Sequence, residues 1–219
     1  MAHAVTALKV HPVWRNAPRA MLAAVGDVMR RCYDKGWITT RDGNCSVRRA
    51  GSPLLYVTPS GLRKADIHPE QLVKIELVNG RMVIPAGAKP TGECHMHYLL
   101  LKDATETRAV LHVHATHVVA AIYRGFDLPA LCREFPELQC HTTVGATVPF
   151  LPPASVALGE AVAAALLDHG DGQGKPSDIV GLRNHGCCAI GTDPWAAYEH
   201  IERLDHICEI VLKSGVSPA

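Results

Sequence analysis

The chain has 219 residues, 47% of them hydrophobic and 20% charged, with a formal net charge of +1. This length supports one sizeable core and is short for two ordinary domains, and the composition is that of a globular protein. The near-neutral balance, with no run of five like charges, excludes a polyanion-binding surface and leaves no nucleic-acid partner to expect.

No apolar stretch approaches the ~18 residues of a membrane span, so no membrane partner is expected either. Residues 1–10 lack a secretory apolar segment followed by a cleavage site. The eight cysteines are scattered without a CxxC pair, which predicts reduced thiols and a cytoplasmic location.

Taken in chain order, residues 17–35 carry Met21, Leu22, Val25, Val28 and Met29 at near 3.6 spacing, a helical pattern that Gly36 can close. Short strands are predicted at 45–47 and 54–58, joined by a turn-rich segment at 49–53. Residues 72–77 and 81–84 flank Asn79-Gly80, the strongest hairpin signal in the chain. Thr91-Gly92-Glu93 begins a helix that runs through His97 and Leu101. A strand follows at 110–115, a short helix at 117–123, and a loop around 133–137. Another strand is expected at 144–151, closed by Pro152-Pro153. Ser155 is a good N-cap for an alanine-rich helix reaching His169. Residues 171–176 form a loop, 179–190 give two short strands around Asn184-His185-Gly186, and Pro194 opens a last helix to about Lys213. Several strands are joined by hairpins too short for crossovers. The fold expected is therefore a single α/β domain over residues 1–219, with a largely antiparallel central sheet.

The chemistry concentrates in Ala109-Val-Leu-His-Val-His-Ala115. A strand sends residues i and i+2 to one face, so His112 and His114 present their rings side by side, as two neutral ligands to a divalent transition metal. His185, in the Asn184-His185-Gly186 turn, is a candidate third ligand if the fold returns it. There are thirteen histidines to choose among. His95 and His97 share the His-x-His spacing, but near a helix start such a pair lies about 200° apart around the axis and cannot easily share an ion. Glu93 is a candidate carboxylate, although an acidic residue in a first helical turn often only complements the dipole. Gly43-Asn44-Cys45-Ser46, Thr58-Pro59-Ser60-Gly61 and Thr91-Gly92 combine glycine with small hydroxyl or amide side chains and expose backbone N–H groups, as anion cradles do. Each alone is more often just a turn.

Together these motifs resemble a known family. Gly43-Asn44-x-Ser46, Thr58-Pro59-Ser60-Gly61, Lys89-Pro90-Thr91-Gly92-Glu93, Val110-Leu-His112-Val-His114 and Asn184-His185-Gly186 stand in the order found in the class II aldolase/adducin family. That family includes L-fuculose-1-phosphate aldolase, L-ribulose-5-phosphate 4-epimerase and methylthioribulose-1-phosphate dehydratase. The resemblance spans residues 17–213. It implies a three-layer domain and a metal-dependent lyase, with His112, His114 and His185 binding zinc (manganese or cobalt as alternatives) and Glu93 as acid/base. It further implies a phosphate site at Asn44, Ser60, Gly61, Thr91 and Gly92, and a homotetramer with active sites at subunit interfaces.

The implied reaction is cleavage of a ketose 1-phosphate, of the fuculose or ribulose type or a 5-deoxy or 5-methylthio pentulose 1-phosphate. The products are dihydroxyacetone phosphate and an aldehyde, reached through a metal-stabilised enediolate. The sequence departs from the aldolases in two ways. Thr91-Gly92 replaces a Ser-Ser pair, and no tyrosine stands between Asp127 and Thr147, where aldolases take a proton donor for the leaving aldehyde. Glu134 or Glu137 could instead serve as acid/base for loss of water, as in the dehydratase relatives. Decarboxylases of 3-oxo-sugar-acid phosphates form a further branch, similar through Lys89-Pro90-Thr91-x-Glu93 and His112-x-His114-x-x-His117. Apolar Phe126, Leu128, Leu131 and Phe135 form a candidate aldehyde-side region, and a scaffold role without metal is the remaining alternative.

Overall fold

The apolar periodicity of the first segment produces helix α1 (Pro18–Asp34), which buries Met21, Val25, Val28 and Met29. The structure, a computed structural model, describes residues 18–106, 108–167 and 177–218. The expected loop at 171–176, the end of the alanine-rich helix at 168–169 and the N-terminal segment lie outside the described residues.

After α1 come β1 (Asn44–Arg48), β2 (Leu54–Val57), β3 (Val73–Val78) and β4 (Arg81–Val83), paired in sequence as an antiparallel meander. Asn79 and Gly80 both take positive φ between β3 and β4, the geometry that tight hairpins need. Next are α2 (Cys94–Leu101), β5 (Arg108–Val113), α3 (Thr116–Arg124), α4 (Leu128–Glu134), α5 (Pro136–His141) and α6 (Val156–Leu167). The β6 (Ile179–Leu182) and β7 (Gly186–Gly191) hairpin and α7 (Pro194–Ser214) complete the order. The sheet has seven strands in the order β4-β3-β2-β1-β5-β7-β6, antiparallel throughout.

Strand alternation divides the core into two. Ala109, Leu111 and Val113 of β5 join α1, α3 and α7 in one buried cluster, while Val110 points to the opposite face, with Val180, Cys188 and helices α2 and α6. Helices on both faces of the sheet make the three expected layers. His112, two residues after Val110, shares the α2/α6 face.

Two expectations are corrected. Residues 144–151 are not a strand: they run beside the edge strand β6 with only isolated bridges, Val144 to Ile179 and Val148 to Leu182. Pro149 has no N–H to extend that ladder. The loop expected around 133–137 is instead the junction of α4 and α5, which meet at Phe135. A proline in the first turn of each, Pro129 and Pro136, is the local signal that marks such starts.

Candidate active site

β5 places His112 opposite Asn44 of β1 and opposite Cys188 of β7. His114 lies one residue past the strand, its N–H donating to the Trp37 carbonyl at 3.0 Å. The β6–β7 turn brings His185 back to them. Asn184 there adopts φ +57°, a left-handed conformation that asparagine tolerates better than most residues. Gly186 has a different reason to be glycine: a Cβ there would sit 2.3 Å from the Val113 carbonyl oxygen and 3.0 Å from the His114 ring. The turn can press against β5 only because that atom is absent. The three rings then stand with centroids 4.8–5.2 Å apart, and one nitrogen from each lies within 4.8 Å of the other two.

Glu93, immediately before α2, reaches the same point. Its Oε2 is 3.2 Å from His112 Nε2 and its Oε1 is 3.6 Å from His185 Nε2. His112 Nδ1 lies 2.9 Å from the Cys187 carbonyl oxygen. A carbonyl only accepts, so Nδ1 carries the proton and Nε2 presents a bare lone pair to the carboxylate. Two acceptors facing each other at that distance repel unless a cation or a proton lies between them. Glu93 Oε1 and His112 Nε2 are buried acceptors without a hydrogen-bond partner, which is costly unless something positive satisfies them. Three neutral imidazoles around such a point fit a divalent transition ion.

The protonation states agree. Burial holds His112, His114 and His185 below the ordinary histidine range, in the neutral form a ligand needs. Burial pushes the Glu93 carboxyl up, but positive charge at His112, whether a proton or a bound ion, and the Asn44 hydrogen bond outweigh it and keep Glu93 low.

Asn44, Ser60, Gly61, Thr91, Gly92, Glu93, His114 and His185 line one cavity of about 230 Å³, together with Arg41, Asp42 and Lys64. The turns that looked unrelated in the sequence are stitched together by the backbone: Ser60 N–H donates to Lys89 O at 2.9 Å, and Thr91 N–H to Thr58 O at 3.0 Å. Lys64 is 2% exposed, and its ammonium donates to Pro59 O at 2.8 Å, a buried cation under the Ser60-Gly61 turn. Glu134 and Glu137 do not join this cavity. Glu134 lines another, with Phe126, Leu131, Phe135 and the end of α7, and Glu137 lines a cleft with Lys35, Trp37 and Arg203. Leu128 is core.

His97 is the residue that sequence reasoning set aside. It is fully buried, with Nδ1 2.6 Å from Ser46 Oγ and Nε2 against Asn44 Oδ1. Asn44 Nδ2 in turn donates to Glu93 Oε2 at 2.8 Å. Burial pushes the His97 ring down to about 3. The signal was present: Asn44 and Ser46 share a strand face and Glu93 and His97 share a helix face, at i+2 and i+4.

The class II aldolase and adducin N-terminal domain model matches residues 23–212. An L-fuculose phosphate aldolase of Methanococcus maripaludis is 27% identical over 183 residues, 84% of this chain and 91% of that protein. A methylthioribulose-1-phosphate dehydratase of Sorangium cellulosum is 27% identical over 206 residues, 90% of this chain and 93% of that protein. Among solved structures, L-fuculose-1-phosphate aldolase from Thermus thermophilus superposes with a TM-score of 0.70 at 28% identity, covering 91% of this chain and 100% of that one. These relatives are lyases, and the chain belongs to the class II aldolase and adducin N-terminal domain family.

Proposed function

We propose that this chain is a zinc-dependent aldolase, with manganese or cobalt as substitutes. It cleaves a ketose 1-phosphate, a fuculose or ribulose 1-phosphate or a 5-deoxy or 5-methylthio pentulose 1-phosphate, into dihydroxyacetone phosphate and an aldehyde. The observation that carries the reading is the Glu93 carboxylate held against the three-imidazole group in a cavity lined by the Ser60-Gly61 and Thr91-Gly92 turns. His112, His114 and His185 hold the ion. When bound, it supplies Lewis-acid polarisation of the substrate carbonyl and charge stabilisation of the enediolate left by C3–C4 cleavage.

The chain's own residues do the rest. The Gly61 and Gly92 backbone amides and the Ser60 and Thr91 hydroxyls, with the Asn44 amide, bind the phosphate, and Lys64 and Arg41 are the cations lining the same cavity, opposite the carboxylates of Asp42 and Glu93. That anchor fixes the sugar's carbonyl end beside Glu93. Glu93 carries the proton that the former C3 carbon gains when dihydroxyacetone phosphate forms, and removes it in the reverse direction. Its Oε2, held by Asn44, sets the face on which that proton moves. The reading includes residues 1–219 working as one domain in a cytoplasmic homotetramer with active sites at subunit interfaces, which light scattering on the purified protein checks.

A second reading is favoured by one observation: among the described residues no tyrosine lines the cavity to protonate a leaving aldehyde. It is removal of water from methylthioribulose 1-phosphate, or of carboxylate from a 3-oxo-sugar-acid phosphate, through the same enediolate. Glu134 or Glu137 would then act as acid/base from a neighbouring copy. Incubation with a panel of phosphorylated ketoses and oxo-acids, with and without chelator, separates the readings. Chelator-sensitive dihydroxyacetone phosphate supports the aldolase, whereas dehydrated or decarboxylated product alone refutes it. Loss of rate on replacing Glu134 or Glu137 supports the dehydratase.

A further inference from the structure

Behind Glu93 runs a chain of buried polar side chains in which Asn44 also lines the cavity, while Ser46 and His97 lie behind it. Ser46 and His97 are fully buried and Asn44 is 4% exposed. Their contacts run Ser46 Oγ to His97 Nδ1, His97 Nε2 to Asn44 Oδ1, and Asn44 Nδ2 to Glu93 Oε2. Every proton in this series is determined by its partner. A carboxylate accepts, so Asn44 turns its amide N–H toward Glu93. That leaves the amide oxygen facing His97, which must therefore carry its hydrogen on Nε2. Nδ1 is then an acceptor, and the Ser46 hydroxyl donates to it. All three hydrogen bonds point toward Glu93.

One other arrangement is self-consistent. With the Asn44 amide turned over, its oxygen would face Glu93, which would have to be protonated. His97 would then donate from Nδ1 to Ser46, whose own hydroxyl hydrogen would need another acceptor. Among the described residues Ser46 Oγ has no side-chain partner besides His97, so that arrangement strands a buried donor. Leaving one unmade costs more than an ordinary hydrogen bond gains. Ser46 therefore selects one polarity for the whole series.

We propose that Ser46 and His97 are positioning residues that hold the Asn44 amide with its N–H on Glu93, and so keep the Glu93 carboxylate aimed into the site. This rests on the acid/base role assigned to Glu93 above. The architecture explains why these residues cooperate. A strand of period two lies against a helix of period 3.6, so Asn44 and Ser46 meet Glu93 and His97 in alternation, as teeth of two combs. The effect is on the orientation of a group that moves a proton, so it belongs mainly in kcat, with a smaller share in KM through Asn44 and none in metal retention.

The test uses His97→Gln, whose amide nitrogen can replace Nε2 as donor, His97→Phe, which fills the space without one, and Ser46→Ala. Metal content and substrate KM are measured alongside kcat. Loss of a charge-assisted interaction at a proton-moving group predicts that His97→Phe lowers kcat ~30-fold and Ser46→Ala ~5-fold, with KM within about threefold and metal stoichiometry unchanged. His97→Gln recovers most of the loss. Independently of turnover, nitrogen-15 spectra should show His97 as the Nε2–H tautomer in the wild type, and slow solvent exchange of the Asn44 amide that quickens in Ser46→Ala. A His97→Phe protein with kcat within twofold of wild type, a His97→Gln protein no better than the phenylalanine variant, or an Nδ1–H tautomer overturns the proposal. If the wild type yields no dihydroxyacetone phosphate, the aldolase reading fails by itself, and the tautomer and exchange measurements still decide this one. Should His97→Phe not fold, Ser46→Ala and the wild-type spectra carry the decision.

Discussion

Replacing Gly186 by alanine isolates the contact that lets a distant turn complete the histidine triad. The new Cβ would lie 2.3 Å from the Val113 carbonyl oxygen, where real Cβ atoms essentially never come under 3.0 Å. The obstacle is backbone on one side and the His114 ring on the other, so neither neighbour can step aside cheaply. The start of β7 must move outward by roughly the 0.7 Å deficit, and His185, the preceding residue, moves with it. Overpacking of this kind costs about 1–3 kcal/mol, and at ~2–4 °C per kcal/mol for a chain of this size the melting temperature should fall by roughly 2–12 °C. Metal sites tolerate ligand displacements of only about 0.2 Å, so zinc affinity should fall by at least ~10-fold, the equivalent of about 1.4 kcal/mol.

Gly181→Ala supplies the control. Its Cβ would meet the side-chain ends of Ile122 and Leu128 at 2.6 and 2.7 Å, inside the hydrophobic layer and not at the triad. It should lower stability without weakening metal binding. Calorimetric unfolding of metal-free protein and zinc titration at fixed pH give the two quantities. If both variants lose stability while Gly186→Ala binds zinc as the wild type does, the close approach at Gly186 does not place His185 and the reasoning is wrong.

Glu93→Gln keeps the shape of the side chain and removes its basicity, so kcat should fall ~10²–10⁴-fold with metal content retained, as steady-state rates and elemental analysis would record. Lys64→Met removes a buried cation beneath the Ser60-Gly61 turn, so KM for a phosphorylated substrate should rise by roughly tenfold, measured against an unphosphorylated analogue as control. Acid should destabilise the protein through His97. Its folded value is about 3 against 6.5 when free, so the unfolded chain binds the extra proton. Stability is then complete above the unfolded value and declines as pH falls from about 6.5 toward 3, at up to ~1.4 kcal/mol per unit. Denaturant unfolding at several pH values should show that slope, and a shallower one in His97→Gln.

Most of the fold was legible because its signals are local. The Asn79-Gly80 hairpin, the Ser155 cap, whose hydroxyl accepts from Leu158 N–H at 3.1 Å, and the Pro194 helix start each follow from a few neighbouring residues. Residues 144–151 failed for the same reason: their alternation was real, but whether a segment is a strand depends on a partner, and β6 offers one only at two isolated bridges. α4 and α5 went unseen because each is barely two turns long, too short for periodicity to register against its prolines.

The site divides along the same line. His112 and His114 are two residues apart on one strand, so their shared face can be deduced from spacing. His185 cannot be reached that way, because its approach depends on a hydrogen atom where Gly186 could have had a methyl group. His97 shows a third case, in which the residues were visible and the wrong comparison was made. Set beside His95 it fails as a chelating pair, since a helix separates i and i+2. Set beside Glu93 it succeeds, since i and i+4 coincide, and the strand pair Asn44 and Ser46 then becomes its natural partner. Two periodicities that are each unremarkable become informative once a strand and a helix are known to be adjacent, and that adjacency is a property of the packed layers. A search of sequences for polar pairs at i+2 on one element and i+4 on another would find such couplings only after the topology had named which elements touch.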